Sequence, residues 1–273
     1  MNQANLEIYF SQLNLPQKNS HKGQNGKLLL IGGSELFHAA SKWSLDVASK
    51  IVDMVFYSSV TENNELVKKA KGDFWNGIVI ERDHLEAYME EADCVLIGPG
   101  MERNEETANL VNKLLQKFPD KKFVIDAGAL QMVDLNLFNS NHIITPHTKE
   151  MSDLQARIVL SGVNLDEKQL TILQKGIVDS VSWFEATPSG EVQKRVEEIQ
   201  GGNEGMTKGG TGDVLAGLVA ALYCTNTAHI SAVVASSVNK QAGDELYKTV
   251  GPFFNASDLV EAVPRVLWQL VGK

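Results

Sequence analysis

The sequence predicts an α/β fold: a central, mostly parallel sheet with helices on both faces. Three observations predict it. Short apolar runs recur along the first two-thirds of the chain, most of these runs are continuous rather than alternating, and segments of helical periodicity separate them. A strand covered on one face alternates apolar and polar residues; one covered on both faces is apolar throughout. The β-α-β-α order then gives a doubly wound sheet. A chain of 273 residues is long enough for one large domain of this kind. No linker, repeat or low-complexity block divides it, so residues 1–273 are expected to form a single domain.

The elements follow in order. Strands are expected at KLLLIGG (27–33), DMVFYSS (53–59), GIVIE (77–81), CVLIGPG (94–100), KFVIDAG (122–128), HIITPH (142–147) and QLTILQKG (169–176), at the centre of the sheet. Between them AASKWSLDVASKI, HLEAYMEEA and NEETANLVNKLLQKF carry helical spacing. VSWFEATPSGEVQKRVEE reads as a hairpin turning at Pro188, Ser189 and Gly190. Two helices close the chain, AHISAVVASSVNKQAGDELYK and NASDLVEAVPRVLWQLV; in the second, Ser257 is the expected N-cap and Pro264 the expected kink or break.

Composition excludes several functions. With 25 basic and 34 acidic residues the net charge is −9, which argues against a broad nucleic-acid surface. Any anionic substrate must be met locally. No run of 18 apolar residues exists, so no membrane span is expected, and the N-terminus lacks a signal-peptide core. Cys94 and Cys224 have no CxxC partner and are expected to be core residues of a cytoplasmic protein.

The chemistry gathers at strand ends and in one loop. GGS, GPG, DAG and TPH each end a predicted strand. In an open α/β sheet, ligands bind outside the carboxyl ends of the strands. Four unusual ends pointing one way therefore suggest a single crevice. Further on, GMTKGGTGDVLAGL places four glycines, Gly205 to Gly212, ahead of Asp213 and an apolar helical beat. Glycines free to take positive φ let backbone amides converge on an anion, and the helix dipole adds its positive end. Asp213 there has two readings, a helix cap or a general base for a hydroxyl attacking phosphorus. A P-loop motif is absent, and no GxGxxG follows a strand.

GMTKGGTGDVLAGL resembles the signature of the ribokinase-like NAD(P)H-hydrate dehydratases. HKGQNGKLLLIGGS, LIGPGM, FVIDAGAL, ITPHTKEMSDL, ILQKGIVD and NASDLVEAVPRVL resemble further segments of that family in the same order, from about residue 20 to 270. The resemblance implies a ribokinase-like fold and a reaction: a nucleotide, ADP or ATP, phosphorylates the ring hydroxyl of hydrated NADH or NADPH, and phosphate elimination restores the double bond. It implies Asp213 as the base and Gly212 at the anion hole beside the nucleotide. Lys175, Gly176, Ile177, Val178 and Asp179 would line the nucleotide site, and Ala40, Gly100 and His147 would contact the hydrated dinucleotide. Mg²⁺ would ride on the nucleotide phosphates, with no dedicated protein ligand set. Lys208 is a further candidate to offset phosphate charge. A homo-oligomer, commonly a tetramer in the family, is implied, as is the lack of the epimerase domain often fused N-terminally. Three departures stand out: Gly128 replaces the second acid of D-A-D-A-L, Asn239 replaces the His of H-x-x-A-G-D, and ELFHAAS is bulkier than the usual glycine-rich loop, with Phe37 and His38 set to narrow the crevice. Two alternatives remain at this stage, a ribokinase-like kinase of a small alcohol and a nucleotide binder without catalysis.

Overall fold

The computed structural model describes residues 3–70 and 76–272. The strands are β1 (Lys27–Ile31), β2 (Met54–Ser58), β3 (Gly77–Val79), β4 (Cys94–Ile97), β5 (Lys122–Ile125), β6 (His142–Ile144), β7 (Thr171–Gln174), β8 (Asp179–Ala186) and β9 (Val192–Ile199). The helices are α1 (Gln3–Ser11), α2 (His38–Ala48), α3 (Thr61–Lys69), α4 (Leu85–Glu91), α5 (Glu105–Lys117), α6 (Ala127–Met132), α7 (Thr148–Ser161), α8 (Leu165–Lys168), α9 (Thr211–Thr225), α10 (Ala228–Val250) and α11 (Ala256–Val271).

The sheet order is β3-β2-β1-β4-β5-β6-β7-β8-β9. β1 to β7 pair in parallel, and the β8–β9 hairpin adds two antiparallel strands at one edge. Continuous apolar strands are buried on both faces as predicted: Leu28 and Leu30 of β1 join a layer with α2, α9, α10 and α11, while Leu29 and Ile31 face a layer with α4, α5 and α6. All seven expected strands form, but each stops short of its predicted C-terminal end. The Gly and Pro residues there leave the ladder and become the crevice loops. β3 sits at the sheet edge rather than its centre.

Two local expectations need correction, and one helix went unread. Asn255, not Ser257, caps α11: its side chain accepts from Ser257 N and Asp258 N, and Asp258 answers from N3. Ser257 Oγ instead accepts a hydrogen bond from Trp43 Nε1 at 3.1 Å. Pro264 does not end α11, which runs on to Val271; burial of Leu259, Val260, Ala262, Val263 and Val266 holds it across the missing amide. α7 was not legible because its pattern is blurred, with Val159 and Leu160 at 81% and 86% exposure. Both cysteines are buried and free, as expected. Among the described residues, no helix is long and apolar enough to cross a membrane.

Candidate active site

The strand order reverses between β1 and β4, the place where an open α/β sheet binds ligands at the carboxyl ends of its strands. Gly33 N donates to Pro99 O at 2.7 Å, pinning the two loops to each other. Gly100 has φ of 73°, and a Cβ there would lie 2.3 Å from Phe37 O. Only glycine fits. The same added atom would stand 3.0 Å from Ala40 Cβ, so Ala40 and Gly100 share one wall. Phe37 sits at the start of α2, 54% exposed.

Ala40 leads directly to the glycine loop. Ser44, one turn along α2, donates to Asp213 O at 2.8 Å. α9 begins at Thr211 with Gly210 at the N-cap position, φ 98°, and no side-chain cap. Asp213 is therefore the third residue of the helix and is not its cap. Thr211 N reaches back to Lys208 O at 3.5 Å, and the first four-residue helical bond is Val214 N to Gly210 O at 3.0 Å. The amides of Gly212 and Asp213 thus precede the helical ladder and, with the positive end of the dipole, are suited to an anion.

Asp213 carries a pKa pushed up to about 7, first by burial, then by the negative charges of Asp126 and Glu150, with Lys175 working in the opposite direction. Lys175 follows β7 and bonds Asp126 Oδ1 at 2.9 Å. Burial disfavours its charge, but Asp126, Glu150 and Asp213 outweigh burial and hold its pKa above the usual lysine range. A methyl at Gly212 would lie 3.5 Å from Lys175 Nζ, which places this ammonium beside the glycine loop. His147 caps α7: its Nδ1 accepts from Lys149 N and Glu150 N, and the buried Glu150 carboxylate accepts from His147 N at 3.0 Å. With Nδ1 accepting, the neutral ring carries its proton on Nε2. His147 and Lys175 also pair through their backbones, bringing β6 and β7 ends together.

A cavity of about 800 Å³ opens beside this cluster. His147, Lys175, Gly176, Ile177, Asp179 and Gly212 line it; Val178 does not. Asp179 is locked from three sides, by Gly176 N at 2.9 Å, Ser236 Oγ at 2.7 Å and Lys240 Nζ at 3.2 Å. Lys240 also donates to the carbonyls of Gly176, Ile177 and Gly201. Sequence reasoning missed Lys240, although a lysine inside an otherwise apolar helix was a visible signal. It also missed Asp126 and Glu150 as charges acting on Asp213. Lys208 does not face the cavity; it donates to Pro252 O and Phe254 O and ties the loop to the approach of α11.

Among the described residues, no three His, Cys, Asp or Glu side chains converge as a metal cage. Asp126 is engaged by Lys175, and Glu150 by Gln131 and the α7 cap. This donor set fits a Mg²⁺ that arrives on a nucleotide's phosphates and keeps most of its waters.

Gly128 explains one departure. A Cβ there would lie 2.1 Å from Met101 O, so this backbone has no room for an acid at that position.

The chain is similar to known proteins of one family. The family model for NAD(P)H-hydrate dehydratase matches residues 28–265. A bifunctional NAD(P)H-hydrate repair enzyme from Methanocaldococcus jannaschii is 38% identical over 91% of this chain and 49% of its own. The chain thus spans about half the length of several curated relatives it matches. An ADP-dependent (S)-NAD(P)H-hydrate dehydratase from Nitrosopumilus maritimus is 32% identical over 91% of this chain and 90% of its own. Among solved structures, the ADP/ATP-dependent NAD(P)H-hydrate dehydratase of Bacillus subtilis, co-crystallised with ATP and Mg²⁺, superposes with a TM-score of 0.73 at 22% identity, covering 97% of each chain. The matched span and the relatives above 30% identity place the chain in the NAD(P)H-hydrate dehydratase family, on a ribokinase-like fold.

Proposed function

We propose that the protein returns hydrated NADH or NADPH to the reduced dinucleotide, using ADP or ATP as phosphoryl donor. The observation that carries this is Asp213: a carboxylate poised near neutral pH, beside free helix-start amides and a buried lysine, and not acting as a cap. A base with a pKa near the working pH both exists as carboxylate and accepts a proton well.

In this reading the hydrated ring lies against Ala40, Gly100 and the Nε2–H of His147. The donor nucleotide lies along Gly176, Ile177 and Asp179, its terminal phosphate on the Gly212 amide and Lys175. Asp213 takes the ring hydroxyl's proton as its oxygen bonds to phosphorus and the donor's bridging P–O bond breaks. The C–O bond then breaks and the proton of an adjacent ring C–H passes to the departing phosphate, so the double bond returns and the hydrogen phosphate leaves. Bound Mg²⁺ supplies charge neutralisation on the phosphates, and the protein's share is orientation and the proton.

The reading also takes the protein as one domain, cytoplasmic and a homo-oligomer, the last checked by light scattering. The activity test is incubation with NADH hydrate and either ADP or ATP, following absorbance at the reduced-nicotinamide band. Absorbance returns with at least one nucleotide and not without; no return with either, for NADH and NADPH hydrates alike, overturns the proposal.

A further inference from the structure

The glycine loop is braced by the helix that walls the neighbouring crevice. Its two adjacent glycines differ. A Cβ added at Gly209 would meet nothing within 4 Å. At Gly210, where φ is 98°, an added Cβ would lie 2.4 Å from Trp43 Cζ3, 2.5 Å from Trp43 Cε3 and 2.7 Å from Ala256 Cβ. The indole of α2 therefore lies directly against the Gly210 backbone, with the first residue of α11 close beside it. Trp43 is itself held in place, its Nε1 donating to Ser257 Oγ at 3.1 Å. The next residue of α2, Ser44, donates to Asp213 O at 2.8 Å. A Cβ at Gly217 would be 2.7 Å from Ser44 O, so α2 and α9 pack backbone to backbone.

These contacts fall on the segment whose geometry the chemistry needs most. Gly210 O accepts from Val214 N, so the path of the chain at Gly210 sets where the Gly212 amide and Asp213 point. Glycine has more backbone freedom than any other residue, and two in succession would let this helix start wander. A phosphoryl-transfer site needs the opposite, donors fixed before charge develops. A tryptophan that only joined α2 to α11 would pack on their side chains; this one packs on the backbone of the loop itself. Ala40, one turn before Trp43, shares the crevice wall with Gly100. One helix thus braces both halves of the site.

On the reading that this loop seats the donor's phosphates, we infer that Trp43 is a positioning residue: its indole fixes Gly210 in the left-handed conformation and so aims the Gly212 amide and Asp213 at the transferring phosphoryl group. The test compares the parent, Trp43→Ala and Trp43→Phe, with folding checked by circular dichroism. Calorimetry measures affinity for whichever of ADP and ATP the parent binds more tightly, and the dehydration assay measures kcat and KM. Trp43→Ala should bind the nucleotide about tenfold more weakly. Its kcat should fall about 10²-fold, the cost of a misplacement of about 1 Å, while KM for the hydrate stays within about twofold. Trp43→Phe, which keeps an aromatic ring against the loop, should recover most of both losses. A tryptophan that merely held helices together would lower stability and leave the folded protein's nucleotide affinity and kcat where they were. Either value unchanged overturns the inference, as does Trp43→Phe falling as far as Trp43→Ala. Should Trp43→Ala not fold, Trp43→Leu takes its place with the same outcomes. A parent that binds nucleotide but turns over neither hydrate refutes the proposed reaction, and the nucleotide affinities still decide the role of Trp43. A parent that binds neither nucleotide refutes the donor-site reading and the inference with it.

Discussion

Replacing Asp213 with Asn separates chemistry from stability. The side chain is removed only as a base, since Gly210 and not Asp213 occupies the N-cap position. Loss of a general base lowers the rate by roughly 10²–10⁴-fold. Stability should move the other way. A carboxyl whose folded pKa is raised, here from 3.8 to about 7, favours the folded state in its protonated form. That contribution is complete below the unfolded value and is lost as pH rises through the folded one. Three units correspond to about 4 kcal/mol, an upper bound because the carboxylate is partly accessible. Asn carries no such penalty. The variant should therefore match the parent near pH 4 and exceed it progressively up to pH 7, by several degrees in Tm at roughly 2 °C per kcal/mol. Differential scanning calorimetry across that range, paired with the dehydration assay, reads both effects. The parent's rate should also rise with pH through about 7 as the base ionises. A variant that keeps most of its activity on every accepted substrate refutes the base assignment; a stability gap that does not open between pH 4 and 7 refutes the buried-carboxylate account.

Other substitutions test the surrounding parts. Lys175→Met leaves the buried Asp126 carboxylate unpaired and should destabilise by about 3–5 kcal/mol in urea unfolding; by removing the one charge that lowers the Asp213 pKa, it should also move the rising limb of the rate profile to higher pH. His142 has its pKa lowered to about 4 by burial among Phe123 and Phe138. A base with a depressed folded pKa supports the fold above its unfolded value of 6.5 and loses that support as pH falls toward 4, up to about 3 kcal/mol. His142→Phe should flatten this acid limb in denaturant titrations at pH 7 and 5. Gly128→Asp should lower stability by about 1–3 kcal/mol without raising activity, because its Cβ meets Met101 O at 2.1 Å.

The parts legible in the sequence were those with a local signature. Seven strands and the hairpin announced themselves by apolar runs and turn residues, and the glycine loop placed Asp213 in the first turn of its helix. The parts that were not legible depend on segments far apart in the chain. Nothing in the spacing of Asp126, Glu150 and Lys175 says that they share a field with Asp213, yet that field sets its pKa. Lys208, in the signature loop itself, looked like a phosphate ligand and instead ties two loops.

Two of the three departures from the family pattern, Gly128 and Asn239, also separate only in three dimensions. At Gly128 the backbone of Met101 fills the space an acid would need, so the substitution belongs with the local chain path. At Asn239 nothing fills the vacated bonding capacity: the amide is packed against the cavity with its oxygen unsatisfied. A replacement that the protein has absorbed into its own packing says little about ligands.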